Sequence, residues 1–220
     1  MKPITIAALA LLVATSAQGQ KARLAPLPVP QNEGLMLSGL TVVASGITIQ
    51  GPGMRGQIKT NLGTGAGVQV GYGFTPRIMI FAGADVAKQS TTYAGIDGDF
   101  GLAHLELGGR MVFPQPGKRM LPYVVALVGT RALAASSDNQ GVSVTLRLSG
   151  TELGAGGGFL YALTPSLAID AGVNAVRGKF GKAVLSGDMS SEATVDVNST
   201  TNLRLKVGFS WHPSARAARS

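Results

Sequence analysis

From Asn202 to His212 apolar and polar residues alternate without a break. Leu203, Leu205, Val207, Phe209 and Trp211 fall on one face, and Arg204, Lys206, Gly208, Ser210 and His212 on the other. A period of two marks a β-strand with two unlike faces, because successive side chains leave the pleat in opposite directions. The same period runs through 66–74, where Ala66, Val68, Val70, Tyr72 and Phe74 alternate with Gly67, Gln69, Gly71 and Gly73. After a Thr75-Pro76 turn it continues over 77–87, with Ile78, Ile80, Ala82, Ala84 and Val86 opposite Met79, Phe81, Gly83 and Asp85.

This strand–turn–strand unit recurs 89 residues later. Tyr72-Gly73-Phe74-Thr75-Pro76-Arg77-Ile78 answers to Tyr161-Ala162-Leu163-Thr164-Pro165-Ser166-Leu167, and Ala82-Gly83-Ala84-Asp85 to Ala171-Gly172-Val173-Asn174. A repeated hairpin is the unit of an up-and-down barrel. Further strands are read at 35–50, 100–113 and 119–133, with a long one ending near Leu163 whose phase slips at a bulge around Gly150. The count is eight. Connections alternate in length: short at 75–76, 114–118 and 164–165, long at 51–65, 88–99, 134–141 and 178–200. Short turns at one end and long loops at the other are the pattern of outer-membrane barrels, whose termini lie on the short-turn, periplasmic side.

Composition separates a membrane barrel from a soluble one. Mean hydropathy is +0.26 and 14% of residues are charged, against about 25% in soluble domains. Yet after Val13 no apolar run approaches the roughly 18 residues of a membrane helix. Glycine, at 31 residues, has about twice its average share. In hydrocarbon every backbone polar group must be paired internally, which leaves helices and closed barrels. The expected fold is therefore an all-β, eight-stranded antiparallel up-and-down transmembrane β-barrel.

The polar face assigns inside and outside. A soluble barrel would carry Lys, Glu and Thr there. Here it carries Gly67, Gly71, Gly73, Gly83, Gly154, Gly156, Gly158 and Gly172, which suit the narrow interior of eight strands. The apolar face then meets outer-membrane lipid. Tyr72, Phe74, Phe113, Tyr123, Tyr161, Phe209 and Trp211 gather at the short-turn end, as an interfacial aromatic girdle on the lipid face. The opposite girdle is thin, with Phe100 and Phe180 as its candidates.

The chain opens with a positive head, Met1-Lys2, an apolar stretch from Ile4 to Val13 broken by Thr5, and a small-x-small site, Ala17-Gln18-Gly19. That is the layout of a secretory signal peptide, with cleavage after Gly19 or, alternatively, Ala17. The expected organisation is a signal peptide at 1–19, a Pro-rich periplasmic extension at 20–33, the barrel at 34–212 and a tail at 213–220. There is no cysteine, so neither disulfides nor thiolate chemistry enter. The net charge of +8 is scattered without a basic run and belongs to an exported chain, so nucleic acid is set aside as a partner.

The signal peptide, alternating strands, Tyr-x-Φ-Thr-Pro-x-Φ hairpins and aromatic-ended last strand make residues 34–212 resemble the OmpA/OmpX-like superfamily of small outer-membrane β-barrels. The resemblance specifies architecture and leaves activity open. It implies insertion by the barrel-assembly machinery, which reads a terminal aromatic residue. Here Phe209-x-Trp211 is present, Lys206 stands where Gly is usual, and a tail follows. Some barrels of this type are lipid A-modifying enzymes, so His104 and Glu106 are candidates for a general-base pair. They share an inward face with Arg110. The other reading is an interior polar network of Asp85, His104, Glu106, Arg110, Glu152, Asp170, Arg204 and Lys206, since buried charges require partners.

No catalytic residue, metal or cofactor is assigned. His104 and His212, the two histidines, are expected near opposite ends of the barrel. Three function classes follow. They are a monomeric structural or surface-interaction barrel with an extracellular protein partner, a narrow passive pore, and the lipid A-modifying enzyme. The pore is disfavoured because eight strands leave a filled lumen. The first class is preferred because strand alternation outruns the membrane. Val142 to Leu163 spans 22 residues, about twice the 9–11 needed to cross. Val195, Val197, Ser199 and Thr201 keep the parity of the lipid face. Stretches 134–149 and 178–200 are therefore expected to project as adhesive β-ribbons.

Overall fold

Two threonines build the tight hairpins. Thr75 Oγ1 accepts from the backbone N–H of Arg77 (3.2 Å) and Ile78 (3.0 Å). Thr164 Oγ1 accepts from Ser166 (3.3 Å) and Leu167 (3.0 Å) in the same way. Phe74 N–H to Ile78 C=O (3.0 Å) and Leu163 N–H to Leu167 C=O (2.9 Å) close the two turns. The sequence repeat is thus a repeat of hydrogen bonds. The proline after each threonine contributes no N–H of its own.

The computed structural model describes residues 32–49, 58–93, 96–115, 117–139, 142–186 and 191–213. The expected signal peptide, most of the proline-rich extension and residues 214–220 of the tail lie outside them. The strands are β1 (Gly34–Ala44), β2 (Thr48–Ile49), β3 (Ile58–Lys59), β4 (Gly63–Gly73), β5 (Ile78–Tyr93), β6 (Ile96–Val112), β7 (Met120–Asn139), β8 (Val142–Ala162), β9 (Leu167–Ser186) and β10 (Ser191–Trp211). Eight of them close a barrel in the order β1-β10-β9-β8-β7-β6-β5-β4, and β2 pairs with β3 alone. β1 closes the ring antiparallel to both β4 (Leu37↔Val70) and β10 (Leu37↔Trp211). No helix among the described residues is long and apolar enough to cross a membrane.

The outward face changes from apolar to polar at one level on strand after strand. The apolar stretch runs from Ile78 to Val86 before Lys88 in β5, and from Met120 to Val128 before Thr130 in β7. It runs from Tyr161 to Leu153 before Thr151 in β8, from Leu167 to Ala175 before Arg177 in β9, and from Trp211 to Leu203 before Thr201 in β10. Ten residues at about 3.3 Å each, tilted about 40°, rise about 25 Å, the height of the apolar band of an outer-membrane barrel. Its large side chains, such as Val68 (63% exposed), Leu105 (62%) and Leu153 (65%), have no protein neighbours to cover them. A water-soluble protein would not leave such a surface bare.

Residues 134–139, 178–186 and 191–200 are strand, as expected of ribbons at 134–149 and 178–200. Four expectations are corrected. Residues 88–93 and 96–99, expected in a loop, are strand as well, so this connection also continues the barrel wall. The phase of β8 does not slip at Gly150. The register shift lies opposite it in β9, where Ser149 faces Lys182 and Gly150 faces Phe180, leaving Gly181 as the extra residue. Tyr123 is not in the lipid girdle but 7% exposed inside the barrel. Both faces of β7 are apolar here, Leu121, Tyr123, Val125 and Leu127 inward and Val124, Ala126 and Val128 outward, so alternation carried no sign. Phe180, proposed for the upper girdle, is fully buried. The other girdle residues, Tyr72, Phe74, Phe113, Tyr161, Phe209 and Trp211, point outward at the short-turn end.

Candidate functional site

Glycines on the inner wall leave room for a few large side chains from facing strands. A Cβ on Gly108 would lie 2.4 Å from the Phe81 ring, and one on Gly172 would lie 2.3 Å from the Tyr123 hydroxyl. The lumen so provided is filled in three layers. At the short-turn end Met36, Met79, Phe81, Val112, Leu121, Tyr123, Val125, Leu160 and Ala168 form an apolar plug. Toward the ribbon end Ile47, Leu102, Leu133, Leu148 and Phe180 form a second.

The upper plug is completed by residues 45–47 beside β2 and residue 60 beside β3. Ile47 N–H donates to Thr60 Oγ1 (2.8 Å), Thr60 Oγ1 to Gln89 Oε1 (2.9 Å), and Gln89 Nε2 to the Ser45 carbonyl (2.9 Å). This chain of bonds holds the Ile47 side chain, 1% exposed, down onto the apolar layer.

Between the plugs lies the polar layer, and all eight residues expected there are buried in it. Arg204 is its hub. Nη1 donates to Asp85 Oδ2 (2.8 Å) and Nη2 to Glu106 Oε2 (2.8 Å), and Nη2 lies 3.7 Å from Glu152 Oε1. Lys206 Nζ bridges the same two acids, at 2.6 Å from Glu106 Oε1 and 2.8 Å from Asp85 Oδ2. His104 Nδ1 is 2.8 Å from Glu152 Oε2. Lower down, Arg110 Nη1 is 3.0 Å from Asp170 Oδ2. Gln69 joins the halves, donating to Glu106 (3.2 Å) and accepting from Arg110 (3.4 Å).

Three buried groups escaped the sequence reading. Tyr123 donates to Asp170 Oδ1 (2.8 Å), and the Arg110 guanidinium carbon stands 4.3 Å from its ring centroid. Arg131 lies 4.3 Å above the Phe180 ring. Gln69 is a neutral linker that a search for charges passes over. Arg131 shares the parity of Tyr123, so reading it as a buried cation would have turned that strand inward correctly. With Arg131 counted, four carboxylates (Asp85, Glu106, Glu152, Asp170) face four fixed cations (Arg110, Arg131, Arg204, Lys206) among the described residues.

The arrangement leaves little chemistry available. His104 and Glu106 share a face of β6 but not a partner. The imidazole is held by Glu152, and Glu106 is clamped between Arg204 and Lys206. A cavity beside Arg110, Tyr123 and Lys206 has about 10 Å³, room for at most about one water. Among the described residues no cluster of His, Cys, Asp or Glu could hold a metal.

A filled, ion-paired lumen inside a lipid-facing band is the interior of a small outer-membrane barrel, and the family model agrees. Residues 5–212 match the outer membrane protein beta-barrel domain. The chain belongs to that family. It resides in the outer membrane, as its relatives do. Neisserial surface protein A (NspA) superposes with a TM-score of 0.57 at 17% identity, over 81% of this chain and 97% of the other. The outer membrane protein OprG from Pseudomonas aeruginosa gives 0.56 at 17%, over 84% and 99%. A major outer membrane protein from Thermus thermophilus gives 0.54 at 13%, over 81% and 99%. At these identities the likeness is one of fold. No characterised protein matches the chain significantly by sequence.

Proposed function

We propose that this family member is a structural, surface-interaction barrel. It is a sealed membrane post that holds a β-sheet outside the cell for a partner protein to bind. The observation that carries the reading is the height of β7–β10. β8 runs on from Thr151, at the top of the apolar band, to Val142, and β10 from Thr201 to Ser191. Each projection adds nearly a second membrane crossing in residues. The ladders persist there, at Asn139↔Val142, Thr145↔Ser186 and Ser191↔Leu185.

β10 pairs with β1 only as far as Ala44↔Arg204, so from Ser191 to Asn202 it has a ladder on the β9 side alone among the described residues. A row of unpaired backbone groups is a template for strand addition by another protein. The sealed lumen argues in the same direction, because neither solute passage nor catalysis at His104 has a path through the plugs.

Deleting 182–198 is the test. The shortened barrel should keep its heat-dependent gel mobility while cells expressing it lose attachment to immobilised host protein or matrix. Attachment that survives the deletion, or that never exceeds that of cells lacking the protein, refutes the reading.

A further inference from the structure

We infer that the outer wall of β7, β8 and β9, just above the apolar band, binds the phosphate groups of an anionic lipid in the outer leaflet. Outer-membrane barrels carry their long connections outside, so this level of the wall faces the headgroups of that leaflet. The inference concerns the barrel's lipid neighbour and is independent of any protein bound to the ribbons.

A groove of about 580 Å³ runs along this wall. Its lining is apolar on the β6–β7 side, with Ala103, Leu105 and Ala132, and polar toward β9, with Thr130, Thr151, Lys179 and Lys182. The cations are there for a structural reason. Arg177 and Lys179 lie on the outward parity of β9, directly after Ala175 ends its apolar stretch. By alternation Lys182 would point into the lumen. The extra residue Gly181 shifts the phase, so that Gly181 and Lys182 are both exposed. A bulge that re-aims one side chain commonly serves a site, and this one adds a cation to a wall that already carries two.

The register supplies the rest. Thr151 stands directly across from Lys179, and Ser149 from Lys182, while Thr130 faces Thr151 on the other side. Each ammonium therefore has a hydroxyl opposite it on the neighbouring strand. Charged and neutral donors side by side on neighbouring strands suit a phosphate, whose oxygens accept several hydrogen bonds at once. The apolar band directly below, at Val128 and Leu153, suits the first carbons of an acyl chain. Lipid, rather than free phosphate, is the occupant that uses both halves.

The experiment is native mass spectrometry of the full-length protein in detergent, titrated with lipid A, with enzymatically dephosphorylated lipid A and with phosphatidylcholine. The wild type should form adducts with phosphorylated lipid A in clear preference to the other two. Lys179→Ala combined with Lys182→Ala should weaken them about thirtyfold, from about fivefold per lysine near a charged membrane surface. The paired Lys→Arg variant should restore most of the binding. Thr151→Val, which leaves every charge in place, should weaken it severalfold and serves if the double variant does not fold. Arg77→Ala with Lys118→Ala, exposed at the opposite rim, should change nothing. The inference fails if the dephosphorylated lipid binds equally, or if the Lys→Ala and Thr→Val variants both match the wild type. It also fails if the opposite-rim variant loses as much, or if inorganic phosphate at matched phosphate concentration displaces the lipid completely.

Discussion

Tyr123 on β7 and Asp170 on β9 meet across the lumen, the phenol donating to Oδ1 at 2.8 Å, with Gly158 and Gly172 clearing the space around the hydroxyl. Removing the donor leaves a buried carboxylate oxygen without that partner, although Arg110 and Ser210 still reach Oδ2. Tyr123→Phe should cost about 1–3 kcal/mol, whereas Tyr161→Phe, on the lipid side, should be nearly neutral in urea titrations of bilayer-refolded protein. Gly172→Ala should also destabilise, by about 1–3 kcal/mol of overpacking. It should do so less in the Tyr123→Phe background, because its new methyl collides chiefly with the hydroxyl.

Arg204 should be the most sensitive position in the lumen. It is fully buried and touches three carboxylates, so Arg204→Met strands charge where water cannot reach it. Breaking a buried pair in this way costs about 3–5 kcal/mol. Lys206→Ala should cost less, because Arg204 still reaches both Asp85 and Glu106. Equal losses for the two variants in the same refolding assay would contradict the hub assignment.

Leu205, between those two cations in sequence, faces the other way and is 43% exposed to the lipid side. Leu205→Arg should cost about 1–3 kcal/mol, between the mid-depth and interfacial values for an outer-membrane barrel. The comparison with Lys206→Leu fixes the phase of β10. A neutral Leu205→Arg beside a harmful Lys206→Leu would mean that inside and outside are exchanged.

The sealed lumen predicts a silent electrical record. Wild-type protein in planar bilayers should show no conductance steps, and Ile47→Ala alone should not open it, because the lower plug around Met36, Met79 and Leu121 remains. Discrete steps from the unmodified protein would require a path through both apolar layers.

The closed ladder should also resist detergent. Unboiled protein should run apart from boiled protein on SDS gels, since every barrel strand is paired on both sides within the membrane and detergent offers no substitute for those bonds. A single band under both conditions would deny a closed barrel.

Where a strand has one small or charged face and one apolar face, the sequence by itself determined its orientation. In β10 the alternation of Lys206 and Arg204 with Leu205 and Val207 has a single solution, because a charge is costly in lipid and a leucine is not. The Thr-Pro hairpins were legible for a related reason, since a threonine hydroxyl caps its own turn using only neighbours in sequence. β7 had no such asymmetry. Tyr123 and Val124 are both acceptable to lipid, and only the register with β6 and β8, in a closed barrel that brings the phenol to Asp170 on β9, decided that the tyrosine turns inward. The same holds for Phe180 beneath Arg131, and for Lys182, which alternation would place in the lumen. Its outward turn comes from one unpaired residue, Gly181, and which strand absorbs a register shift depends on the ladder between two strands rather than on either one. Local periodicity reports the faces of a strand; the partners of a buried group are set by residues tens of positions away, where only the closed barrel brings them together.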